Sequence, residues 1–141
     1  MRPEFRASFY MSNLELYNKI LLPNKKSLPT EQGILEEQFV SGVMLQAWED
    51  FISFRKYDST PFEEWVATFL TWAQNPYFKA YYSDMKYGFS SATNELATLL
   101  FEYAAKIPVP TTNPKYYEEA MDKMIQDPKY IKLKKEINAL S

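Results

Sequence analysis

The chain has 141 residues, among them three Trp, 11 Tyr, ten Phe, nine Pro and three Gly, with no cysteine, no histidine and a net charge of −2. These absences exclude a disulfide, a thiolate or imidazole metal site, a Ser-His-Asp or Cys-His nucleophile and a histidine pH switch, and zinc deaminase chemistry with them. The length suits one domain burying roughly two-thirds of the surface that its unfolded chain exposes.

Lack of cysteine fits reducing and oxidising surroundings equally well. No apolar run approaches the roughly 18 residues that a membrane helix needs. Met1–Tyr10 has neither the apolar segment nor the small-residue cleavage site of a signal peptide. A soluble protein with no membrane contact is expected, in the cytoplasm or within an assembled particle.

Charge is laid unevenly along the chain. Residues 1–30 carry five basic and two acidic groups, 31–64 carry two basic and eight acidic, and 114–141 six basic and five acidic. Solvated helix faces account for such a pattern; so does pairing of basic ends with an acidic middle, within one chain or between copies. No long basic stripe offers a phosphate-binding face, so nucleic acid is not an expected partner.

In chain order, residues 1–11 form an N-terminal arm bearing Phe5, Phe9, Tyr10 and Met11 without helical spacing. Ser12 and Glu15 have capping-box spacing and start a helix from Asn13 to Leu22, stopped by Pro23. Thr30 caps a second helix, Glu31 to Tyr57. Its polar positions Gln38, Gly42, Gln46, Glu49, Ser53 and Lys56 make one stripe, and most of the remaining circumference is apolar, Phe39, Val43, Trp48 and Phe51 included. A surface helix needs an apolar stripe of about 100° or a little more, so this one is expected at the centre of the bundle.

Thr60-Pro61-Phe62-Glu63 is a capping box with proline at the first helical position, and the helix it starts runs to Asn75. Asn75-Pro76 restarts a helix with Phe78, Tyr81, Tyr82 and Met85 on one face, closed near Gly88. Ser90 or Ser91 caps a fifth, to about Lys106, whose inner face is Leu96, Leu99, Leu100, Tyr103 and Ile107. The prolines of 108–113 favour an extended connection. Asn113-Pro114 and Asp127-Pro128 then start a C-terminal helical hairpin over 114–141, appended to the 12–107 bundle. Residues Asn113 to Tyr130, less than a fifth of the chain, resemble the paired Asp-Pro helices of chaperone-associated helical modules, which bind apolar client segments; no function is carried over on that basis.

The candidates for chemistry are few. The carboxylate pairs Glu36/Glu37, Glu49/Asp50 and Glu63/Glu64 are adjacent residues, which point about 100° apart on a helix and cannot share one site. A di-metal carboxylate bundle would need Glu-x-x-His motifs, and a nucleotide site its glycine-rich loop; both are absent, and neither cofactor nor metal is expected. Gly42 suggests close approach of a neighbouring helix. Tyrosine and tryptophan pair a large apolar body with one polar atom and are enriched where proteins bind one another. Tyr77, Tyr81, Tyr82, Tyr87 and Tyr103 cluster in sequence; they line either a core, an interface or, with Trp65 and Trp72 beside Tyr81, a small-molecule pocket.

The sequence thus predicts an all-α bundle of about five helices around residues 31–57, with an arm and a C-terminal hairpin. The preferred function is non-catalytic: interaction with a protein partner or with copies of itself, as in a structural subunit of a larger particle. Its expected contacts are Phe5, Phe9, Tyr10, Tyr77, Tyr81, Tyr82, Tyr117 and Tyr130. The alternatives are a ligand-binding bundle or an atypical carboxylate and tyrosine enzyme using Glu49 or Asp50, and an acidic adaptor or inhibitor acting through residues 31–64.

Overall fold

A computed structural model describes residues 31–55, 61–108 and 113–139, with side chains from residue 38 onward. The expected arm and the expected helix at Asn13 lie outside the described residues, as do Phe5, Phe9 and Tyr10. Among the described residues six α-helices follow in order: α1 Glu31–Ser53, α2 Phe62–Trp72, α3 Pro76–Met85, α4 Ser91–Ala104, α5 Pro114–Ile125 and α6 Pro128–Ala139. A 3-10 turn at Lys86–Gly88 joins α3 to α4, and there is no strand among the described residues. The protein is all-α.

On α1, Val40, Ser41, Met44, Leu45, Ala47, Trp48, Phe51 and Ile52 are buried. At about 100° per residue these positions fill one arc of about 160°, well beyond the stripe of an ordinary surface helix. The polar arc opposite is wider than its polar residues alone suggest. Phe39 falls between Gln46 and Asp50 around the axis and is 58% exposed, while Val43 is half-buried. The expected end at Tyr57 lies outside the described residues, and the α-helix ends at Ser53. There the Arg55 guanidinium sits 5.4 Å from the ring centres of both Phe51 and Phe62, a cation–π contact that joins the exit of α1 to the start of α2.

The α2–α3 corner follows from local chemistry. Pro76 cannot donate a backbone N–H and suits the first turn of a helix. Asn75 before it accepts from the backbone N–H groups of Tyr77 at 2.9 Å and Phe78 at 3.1 Å, satisfying two donors that the first turn leaves unpaired. Ser90 does the same for α4 through Thr93, Asn113 for α5 through Lys115, and Asp127 for α6 through Lys129.

The interior is shared between two helices. α1 packs on α2, α3 and α4, and α4 packs on α1, α2, α5 and α6. The expected inner-face residues Leu96, Leu99, Leu100 and Tyr103 of α4 are buried, as is Ile107 three residues beyond its end. Ala120 and Met124 of α5 and Tyr130, Leu133 and Ile137 of α6 belong to the same continuous core as Trp48 and Phe69. At its middle Trp48 meets Phe78 edge-on at 4.9 Å, Phe101 at 5.6 Å and Phe69 at 6.0 Å, separations at which aromatic pairs gain beyond simple burial.

Candidate interaction surface

The tyrosines expected at an interface that lie among the described residues, Tyr77, Tyr81, Tyr82, Tyr117 and Tyr130, are all buried or half-buried. Tyr130 is 2% exposed, packs edge-on against Phe62 at 6.0 Å, and donates its hydroxyl to Glu63 Oε1 at 3.4 Å. Burial, reinforced by the Glu63 carboxylate, pushes its phenol far above the ordinary value. Tyr117 is half-buried and donates to Gln74 Oε1; Tyr82 stacks near Phe101 at 5.2 Å and donates to Asn94 Oδ1 at 2.9 Å. Burial raises the pKa of both. Tyr77 packs half-buried against the core. Tyr81 lies over Gly42, with its hydroxyl 3.0 Å from where a Cβ on that glycine would stand; what reaches the glycine is the end of a long side chain of α3, not the helix itself as expected.

Trp65 and Trp72 both pack on Phe69, at 5.6 and 5.2 Å, while Tyr81 faces α1 at Gly42.

The remaining large apolar surface lies elsewhere. Tyr87, in the 3-10 turn after α3, is 87% exposed, and Met85 two residues before it is 47% exposed. The Lys86 ammonium stands 5.3 Å from the Tyr87 ring centre. A Cβ on Gly88 would meet nothing within 4 Å, so the turn is open on that side. Together with Phe39 on α1 these are the most exposed large apolar side chains among the described residues. Tyr87 stood in sequence among buried and half-buried tyrosines, and only its place at the helix exit beside Gly88 marks it as different. Phe39 was expected within the enclosed apolar circumference of α1, and its exposure corrects that reading.

The carboxylates have partners that sequence spacing does not reveal. Glu49 Oε2 of α1 accepts from the Ser90 backbone N–H at 3.3 Å, from Ser90 Oγ at 3.1 Å and from Thr93 Oγ1. An anion at the N-terminus of α4 meets the positive end of that helix's dipole, so Glu49 pins α1 to α4. Asp50 accepts from Gln46 Nε2 at 3.0 Å. Burial works against the charge of Glu63, but a hydrogen bond and the nearby ammonium of Lys134, together with its own backbone and Tyr130, hold its carboxyl below the usual range. Asp127 is held low by the Tyr103 hydroxyl, which donates at 2.7 Å, and by the Lys129 backbone N–H. The hydrogen bond to Asp127 and burial push Tyr103 up to about 12.

No group of three or more potential metal-ligating side chains occurs among the described residues, and no helix there is long and apolar enough to cross a membrane. A groove of about 270 Å³ opens between α4 and α6, lined by Glu95, Thr98, Leu99, Lys129, Lys132 and Leu133. Comparison of the chain with protein-family models, with curated proteins and with solved structures finds no match.

Proposed function

We propose that this is a non-catalytic helical interaction or assembly protein, one that contacts a protein partner or further copies of itself. The observation that carries the reading is Tyr87, a large aromatic left 87% exposed beside exposed Met85. Tyr82, Tyr117 and Tyr130 meanwhile have their hydroxyls engaged within the fold. Tyrosine and methionine are enriched at contact surfaces: tyrosine gives large contact area at small conformational cost, and the flexible methionine adapts to the shape it meets. Phe5, Phe9 and Tyr10 of the arm are proposed as further contacts. Less supports a carboxylate enzyme, since Glu49 already serves Ser90 and Thr93.

The test is light scattering of the purified chain across a concentration series, with identification of what co-purifies from its native source. Association is expected, and the Met85→Ala/Tyr87→Ala pair is expected to weaken it about tenfold or more, the loss of an anchor worth about 1.4 kcal/mol or above. Circular dichroism should show helix content unchanged in that variant. A chain that stays monomeric at every concentration and co-purifies with nothing overturns the reading.

A further inference from the structure

We draw no further inference here: the strongest candidate, the groove between α4 and α6 with Leu99 and Leu133 in its lining and Glu95, Lys129 and Lys132 around them, carries nothing because both lysines already pair with Glu102 and Glu136 of the same chain and nothing in the structure shows what covers it.

Discussion

Gly42 and Tyr81 meet where α1 and α3 pack, and the contact separates two effects of a methyl group. Glycine inside a helix costs about 1 kcal/mol relative to alanine. The atom that an added Cβ would crowd is the Tyr81 hydroxyl at 3.0 Å, with the ring carbon behind it at 3.7 Å. That hydroxyl is the far end of a half-buried side chain and can yield by a few tenths of an ångström. Gly42→Ala is therefore expected to leave stability unchanged or raise it by up to about 1 kcal/mol, whereas Gly42→Leu, which must displace the whole ring, should cost about 1–3 kcal/mol. Urea denaturation of the two variants decides it; a large loss in the alanine variant would mean that Tyr81 cannot move. At this scale the sequence was informative for most local causes, although the proline expected at the first helical position of α2, Pro61, stands at its cap without a side-chain bond. Asn75, Ser90, Asn113 and Asp127 are recognisable as caps because each helix they cap begins one residue later. Glu49 was not recognisable as the anchor of α4, because Ser90 and Thr93 lie more than 40 positions away and only the folded chain brings them together. Tyr130 was read as a surface contact for the same reason, its partner Glu63 being 67 positions distant.

Between elements, the C-terminal pair α5 and α6 is tied to the rest through tyrosines and acids. Tyr117 reaches Gln74 at the end of α2, Tyr103 of α4 reaches the Asp127 cap, and Glu63 of α2 holds both Tyr130 and Lys134 of α6. The signs of the pKa shifts set the pH window. Asp127 and Glu63 titrate below the ordinary values of 3.8 and 4.5, so the stability they contribute is fully present above those values and is lost as pH falls through the lowered ones. Tyr103 titrates at about 12 instead of 10.0, so its contribution is complete below pH 10 and disappears as pH rises toward 12. Denaturation midpoints measured from pH 2 to 12 should fall at both ends, and Tyr103→Phe should shrink both falls. If the alkaline limb is unchanged in that variant, the bond to Asp127 is not contributing. Lys134→Ala should cost no more than about 1 kcal/mol, and less at high salt, because the pair with Glu63 is substantially solvated. The hairpin itself was legible from its two caps, but the way it is held was not. Proline spacing suggests an appended unit, whereas α6 leans on α4 more than on its own neighbour α5.

Over the whole molecule, one continuous core joins α1 to α6. Removing the chain after residue 112 strips α5 and α6 from α4 and uncovers its Leu99 and Tyr103 side. The shortened chain is expected to lose cooperative unfolding and to bind the dye ANS, the signature of a compact state without fixed packing; a sharp two-state melt would instead mark 31–108 as a unit that stands by itself. Trp48, wholly buried amid Phe69, Phe78 and Phe101, is the most sensitive single position, and Trp48→Ala should cost about 3–5 kcal/mol, a large share of a total of roughly 5–15 kcal/mol, read from thermal or urea melts. The all-α class was legible because helix-period apolar spacing recurs in every element. The equal standing of α4 beside α1 was not, since a wide greasy arc shows that a helix is enclosed without saying how many neighbours enclose it. The position of α4 also bears on how the protein is made. During synthesis α4 leaves the ribosome ahead of the two helices that cover it, and because domains fold as units, a nascent chain must carry that uncovered apolar face until translation has passed Ile137. Growing chains halted before that point are where chaperones and proteases would find this protein.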